Sequence, residues 1–206
     1  MGVYLGSNPV GFTSYIVRGN EQENALVERT LTTYENSMVS KVGNYAFTDC
    51  STLTSVNLSL ATTIGDYAFQ NCSTLTSVNL SSATTIGDYA FRLCSALPSI
   101  DLPLVTTIGS NAFKSCYSLT SVNLPLATTM ESWTFAYCYN LLSLYLTNSV
   151  ICTLLSTNAF NSTPISNYTT STSGVYGSIY VPASLYSDYI AATNWAVYSS
   201  RFVSIQ

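Results

Sequence analysis

Phe47, Phe69, Phe91, Phe113 and Phe135 recur at intervals of 22 residues, and Cys50, Cys72, Cys94, Cys116 and Cys138 keep the same interval three places later. This double register constrains the chain more than any other feature. A fixed period of roughly 20–30 residues means that each unit is one turn of a solenoid, which cannot bury its apolar face without neighbours. A chain built this way is a scaffold that presents a long surface.

Aligned on the phenylalanines, the units open with VGNYAF, IGDYAF, IGDYAF, IGSNAF and MESWTF. A partial sixth unit, LSTNAFNSTPI, follows an interval of 25 between Phe135 and Phe160, so about three residues are inserted near Val150–Thr153. Within a unit, Val56 and Leu58 alternate with Ser55, Asn57 and Ser59, the period-two pattern of a half-buried strand. Val78 and Leu80, Ile100 and Leu102, Val122 and Leu124, and Leu144 and Leu146 repeat it. Stacking the coils lays these strands side by side in a parallel sheet. The segment GxxAFxxC reads as a short helix. Asn44, Asp66, Asp88, Ser110, Ser132 and Thr157 stand three places before each Phe, and all are residue types favoured at a helix N-cap. Gly43, Gly65, Gly87 and Gly109 supply the bend before the cap. Phe47 and Cys50, three apart, share one face and point into the coil. Val42, Ile64, Ile86, Ile108 and Met130 complete the inward set. Five in-register cysteines are an odd number, and the sixth, Cys152, is off register; the ladder reads as buried thiols packing as small hydrophobes.

The ends of such an array must be closed against water and against edge pairing. The expected organisation is an N-terminal arm or hairpin over 1–19, turning about Ser7-Asn8-Pro9, then a capping coil over 20–41 that carries Glu28 and Arg29. Repeats fill 42–178, and a C-terminal cap follows over 179–206. In that cap, Ile179 and Val181 read as the last strand, Pro182 and Ser184 open a helix burying Leu185, Tyr189 and Ile190, and Trp195, Phe202 and Ile205 close the end.

Charged residues make up 8% of the chain, against about 25% in an average globular protein, and the net charge is −4. With no Lys/Arg run there is no basic stripe for nucleic acid, and no apolar stretch approaches the roughly 18 residues of a spanning helix, so no membrane insertion is expected. The opening MGVYLGSNPVGF shows no secretory signal. The chain has no histidine, which removes the commonest general base and metal ligand, so a Ser-His-Asp or Cys-His site cannot be built within it. A linear ladder of thiols does not converge tetrahedrally on a metal. Asp66 and Asp88 are accounted for as caps. No enzyme activity, cofactor or metal is expected.

The unit IGDYAFQNCSTLTSVNLSSATT resembles the bacterial BspA-like, or treponemal-type, leucine-rich repeat: an Ile-Gly, an Ala-Phe, a Cys three after the Phe, then the strand segment. IYVPASLYSDYIAATNWAVY resembles the cap that often ends such arrays, so the likeness covers about residues 24–206. It implies an α/β repeat fold: a right-handed solenoid with a parallel sheet on the concave face and short helices on the convex face. It also implies a non-enzymatic recognition module of a cell-surface or secreted adhesin-like bacterial protein, meeting a host or bacterial surface protein or glycan as a monomer. Related repeats in phage tail or fibre-like proteins leave a spacer or receptor-binding role as the alternative. On the concave face the outward strand positions stack as Asn57, Asn79, Asp101, Asn123, Tyr145 and, in the cap, Tyr180. These are the candidate ligand-binding residues, with Tyr145 and Tyr180 expected as near neighbours.

Overall fold

The structure is a computed structural model that describes residues 15–17, 31–166 and 176–206. Most of the expected N-terminal arm, and residues 20–30 of the capping coil, lie outside the described residues. Each coil contributes two short parallel strands. The chain order is β1 (Tyr15–Val17), β2 (Thr33–Glu35), β3 (Val39–Val42), β4 (Ser55–Asn57), β5 (Thr63–Ile64), β6 (Ser77–Asn79), β7 (Thr85–Ile86) and β8 (Ser99–Asp101). Then come β9 (Thr107–Ile108), β10 (Ser121–Asn123), β11 (Thr129–Met130), β12 (Ser143–Tyr145), β13 (Thr153–Leu154), β14 (Ser178–Pro182), α1 (Tyr186–Ala191) and β15 (Phe202–Ile205). The odd-numbered strands β1 to β13 form one seven-stranded sheet. The alternating Ser-Val-Asn segments form the concave side, as one group of three strands and one of five. The chain is thus a leucine-rich-repeat solenoid. Two of the three inserted residues fall between β12 and β13 and one after β13, since Thr129 pairs with Thr153 and Met130 with Leu154.

The core is a column of rings. Phe47 stacks on Phe69 at 5.0 Å, Phe69 on Phe91 at 5.1 Å, Phe91 on Phe113 at 5.2 Å, Phe113 on Phe135 at 5.3 Å and Phe135 on Phe160 at 5.7 Å, all within 12° of parallel. Tyr34 closes the column at one end, tilted 58° against Phe47. Trp195 and the edge of Tyr198 close the other against Phe160. Around the rings, Val42, Ile64, Ile86, Ile108 and Met130 are buried as expected.

The turn segment departs from the expected helix. In place of a convex-face helix, Gly43 to Cys50 runs as consecutive tight turns, and the same holds in each coil. The amides alternate in their use. Ala46, Thr48 and Cys50 donate three residues back, to Gly43, Tyr45 and Phe47. Tyr45, Phe47 and Asp49 donate instead to Asp66, Ala68 and Gln70 of the next coil, at 2.7–2.9 Å. An α-helix needs every amide for a carbonyl four residues back, so half of its bonds are spent on the neighbour. The backbone follows: Tyr45, Asp49 and their equivalents in the next four coils have φ near +60° despite carrying side chains. Among the described residues, the α-helix is confined to the cap.

The polar residues of the turn segment also serve the neighbouring coil. Asn44 Oδ1 accepts the amide of Asp66, Asp66 Oδ1 that of Asp88, and Asp88 Oδ1 that of Ser110, at 2.7–2.9 Å. They cap the next coil, not a helix of their own. The glycines beside them are required by close approach. A Cβ on Gly87 would lie 2.6 Å from Asp66 Oδ1 and 2.8 Å from the Asp66 nitrogen. Thr62, Thr84, Thr106 and Thr128 hydroxyls donate to the carbonyl 22 residues earlier. The thiols of Cys72, Cys94, Cys116 and Cys138 each donate to a Phe carbonyl of the preceding coil, at 3.0–3.2 Å.

The cap differs from expectation in its last strand. β14 contains Ile179 and Val181, but β15 pairs beyond it in parallel, Ile179 with Phe202 and Tyr180 with Val203. Leu185 and Ile190 are only partly buried, whereas Tyr189 and Trp195 are fully so. Tyr189 and Trp195 satisfy the edge at β13: the Tyr189 hydroxyl accepts the Cys152 amide at 2.8 Å, and Trp195 Nε1 donates to the Cys152 carbonyl at 2.6 Å.

All six cysteines are free and buried. Burial pushes Cys72, Cys94 and Cys116 well up, and Cys152 from 9.0 to about 12. Burial also raises Tyr189 and Tyr198 from 10.0 to about 12. An acid whose folded pKa is raised is held neutral by the fold, so its contribution is complete below the unfolded value and is lost as pH rises towards the folded one. We predict a thermal midpoint that falls as pH rises from 9.0 towards 12, with no thiol labelled by a charged disulfide reagent until the protein unfolds. Labelling of the native protein at neutral pH would contradict the buried ladder.

Candidate functional site

The concave sheet places the six candidate residues in two sets. Register pairs Glu35, Asn57 and Asn79 across β2, β4 and β6. It pairs Asp101, Asn123, Tyr145 and Tyr180 across β8, β10, β12 and β14. Their side chains lie on the outward face because Val56, Ile100, Val122 and Leu144, one place away, point into the core. In the first set each amide donates to its neighbour: Asn57 Nδ2 to Glu35 Oε1 and Asn79 Nδ2 to Asn57 Oδ1, both at 2.9 Å. In the second, Asn123 Nδ2 donates to Asp101 Oδ1 at 2.8 Å. Tyr145 and Tyr180 stack at 4.6 Å, 11° from parallel, and both remain partly exposed.

Between the sets the ladder is interrupted, a feature absent from the sequence-based expectation. β6 and β8 are not paired, and no side-chain bond joins Asn79 to Asp101 among the described residues. Asn79 Oδ1 instead accepts the amide of Ser81. The cause is Pro98. Its place is held by Thr54, Thr76 and Thr120 in three other units, and each of those donates both amide and hydroxyl to the carbonyl 22 residues earlier. Proline has no N–H and no hydroxyl. The Thr76 carbonyl therefore lacks the pair of donors that Thr32, Thr54 and Pro98 receive. Ser77, Asn79, Ser99 and Asp101 are exposed at the gap, and Val78 is half-buried where Val56 and Val122 are buried. Asp101 and Glu35 are the carboxylates of the candidate face, so its charge is negative at both sets. The face offers amide, carboxylate and phenol groups for hydrogen bonding and one pair of flat rings.

A second concavity, a groove of about 300 Å³, lies between β13 and the cap, lined in part by Ile151, Leu154, Leu155, Ala192 and Thr193. Two of its polar side chains are used within the protein: Asn194 Nδ2 donates to the Leu154 carbonyl at 2.8 Å, as Trp195 Nε1 does to Cys152; the exposed Thr153 and Thr193 complete its polar lining.

A family model described as the BspA type leucine-rich repeat region, in six copies, matches residues 29–142 and 62–178. The chain belongs to the BspA-type leucine-rich repeat family. Among solved structures, a leucine-rich repeat protein from Bacteroides ovatus is 29% identical with a TM-score of 0.54, over 66% of this chain and 38% of that one. A leucine-rich repeat protein of T. pallidum is 21% identical with a TM-score of 0.51, over 66% of this chain and 78% of that one. The pneumococcal vaccine antigen PcpA is 16% identical with a TM-score of 0.63, over 84% of this chain and 40% of that one. The chain thus spans about two fifths of the B. ovatus and PcpA chains. No curated protein matches the chain by sequence. Among the described residues, no helix is long and apolar enough to cross a membrane.

Pro98→Thr is expected to rejoin the two groups of concave strands. A hydrogen bond is worth about 0.5–1.5 kcal/mol net, and losing proline gives back about 0.4–1 kcal/mol of unfolded-state entropy, so two restored bonds should yield a net gain of about 1 kcal/mol. Amide exchange in β6 and β8 should slow in the variant. Unchanged exchange there would show that something other than the missing N–H holds the strands apart.

Proposed function

We propose that this chain is a non-enzymatic recognition module of a bacterial surface or secreted protein, and that it meets a protein or glycan partner on its concave face. The observation that carries this reading is the Tyr145–Tyr180 stack. At the same place the other units have Asn57, Asn79, Asp101 and Asn123, so the repeat itself does not call for a ring there. Two half-exposed tyrosines in successive strands offer rigid contact area with polar tips, at little cost in side-chain entropy on binding. Asn123 and Asp101 continue the face from Tyr145 and supply amide and carboxylate partners beside the rings. Asn57 and Asn79, across the gap at Pro98, make a separate polar strip that extends the contact for a larger partner.

The test is binding of the purified protein to arrays of host matrix proteins, mucins and glycans at physiological salt, beside Tyr145→Ala/Tyr180→Ala. We expect at least one partner bound by the native protein to be lost in the double variant, with stability reduced by the ring pair's coupling of about 0.5–1.5 kcal/mol plus the loss of its partial burial. A loss of stability comparable to a core Phe→Ala change, about 3–5 kcal/mol, would make the tyrosines packing residues and remove the basis of the reading.

A further inference from the structure

Because the coils repeat, each concave strand can be checked against its neighbours. The carbonyl of its last outward residue accepts an amide from the preceding coil. The Asn57 carbonyl accepts the Asn36 amide, Asn79 that of Leu58, Asn123 that of Leu102, Tyr145 that of Leu124 and Tyr180 that of Leu146, at 2.9–3.2 Å. Asp101 is the exception. Its matching donor, the Leu80 amide, stands across the gap at Pro98 and makes no such bond. The Thr76 carbonyl, on the other lip of the gap, lacks its donors as well. Asp101 is also the one carboxylate of its set. Its Oδ1 accepts from Asn123 Nδ2 at 2.8 Å, and no cation pairs with it among the described residues.

The next coil adds to this. Asn57 Oδ1 accepts the amide of Asn79, the residue that follows it in the ladder. Tyr145 takes that following place beside Asn123 and brings no amide, so Asn123 Oδ1 is left as an acceptor. One face of the Tyr145 ring is covered by Tyr180 at 4.6 Å. The other looks back along the solenoid, over Asn123 and towards Asp101. Asn123 is much the shorter side chain, so the outer part of the ring rises above it. Asp101 and Tyr145 are two strand spacings apart, roughly 10 Å. The slot between them is walled by an aromatic face and a carboxylate and floored by an amide oxygen. No cation answers it from within the described residues. Lys41 belongs to β3 of the seven-stranded sheet, and Arg92 and Lys114 to turn segments. Arg201 stands at the far edge of the cap, its guanidinium already seated 3.9 Å from the centre of the Tyr176 ring.

We infer that this slot takes an arginine side chain of a partner protein. The inference rests on the reading of the concave face as the contact surface and names what that surface selects. A guanidinium carries N–H donors and no acceptor. It meets carboxylates through a planar fork and rests on aromatic faces. Here it serves the Asp101 carboxylate and Asn123 Oδ1 while lying against Tyr145, and the unserved Asp101 carbonyl adds a further partial negative charge beside it. A neutral sugar stacked on the same ring would dry the Asp101 carboxylate without supplying a counter-charge, a desolvation cost that a cation offsets. An anionic glycan would be repelled by it. Glu35, the exposed carboxylate of the other set, gives a basic segment a second point of attraction on the same face.

The test titrates the whole chain calorimetrically, at physiological salt, with acetylated hexaarginine amide and with hexacitrulline, which has the same shape and no charge. Hexaarginine should bind and hexacitrulline should not. Asp101→Asn installs the residue that three other units carry at this place and keeps an oxygen for Asn123. It should weaken hexaarginine about tenfold at an unchanged thermal midpoint. Tyr145→Ala should weaken it about threefold. Pro98→Thr, which closes the gap and lets Leu80 serve the Asp101 carbonyl, should weaken it with no change of charge. Asp188→Asn, which removes an exposed carboxylate of the cap helix, should leave it unaltered. No binding of hexaarginine, equal binding of hexacitrulline, undiminished binding by Asp101→Asn or Pro98→Thr, or an equal loss in Asp188→Asn would overturn the assignment. An array partner lost with the two tyrosines but held undiminished by Asp101→Asn would also overturn it, while leaving the concave face as the contact surface. An array partner indifferent to both tyrosines would remove that surface itself.

Discussion

Every second amide of the turn segment bonds to the next coil instead of its own, and the rest of the structure is built around that exchange. It commits neighbouring coils to one spacing, and the phenylalanines must then stack. Around them the remaining polar groups are spent in the same direction. Asn44 and Asp66 accept the next coil's amide, threonine hydroxyls reach the carbonyl 22 residues earlier, and thiols reach a Phe carbonyl. A coil is therefore bonded mainly to its neighbours and little to itself. The three inserted residues illustrate the constraint. They are absorbed on either side of β13, and the Phe135–Phe160 contact survives at 5.7 Å.

Much of the fold could be read from alternation and period. Val56, Ile64 and Phe47 sit inward as their spacing requires, and the outward Ser and Asn rows follow from the strand pleat. The helix expected over the GxxAFxxC segment did not form, for a physical reason. A three-residue spacing between Phe47 and Cys50 suits a helix and a chain of tight turns equally. What separates them is the destination of the Tyr45 and Phe47 amides, a carbonyl about 21 residues further on. No local pattern carries that information, and positive φ at tyrosine has no sequence signal. β15 was missed because its burial does not alternate, so its place beyond β14 rests on pairing alone.

The candidate face was legible where it depends on register. Tyr145 and Tyr180 are 35 residues apart in the chain and meet because the cap strand takes the place of the next coil. The interruption at Pro98 was in view as a residue but not as a consequence. In isolation a proline in one unit reads as variation. Its effect appears only once the Thr76 carbonyl is seen to need a donor from that position.

The cap's hold on the array is confined to its last stretch. Tyr189 and Trp195 bond to Cys152, Asn194 bonds to Leu154, and the Tyr198 hydroxyl donates to the Thr157 carbonyl. None of these contacts reaches the units that begin at Val42, Ile64, Ile86 and Ile108. Those four share their core and turn-side interfaces, and differ on the concave side only at the Pro98 gap, so unequal recombination within their coding sequence can lengthen or shorten the scaffold by a whole coil without disturbing its closure. The fifth unit lacks that freedom, because the inserted residues and the cap are fitted to each other. Three of the aromatic departures from the repeat, Tyr137, Tyr139 and Tyr145, lie in this unit, the part of the gene that such exchange is least able to shuffle.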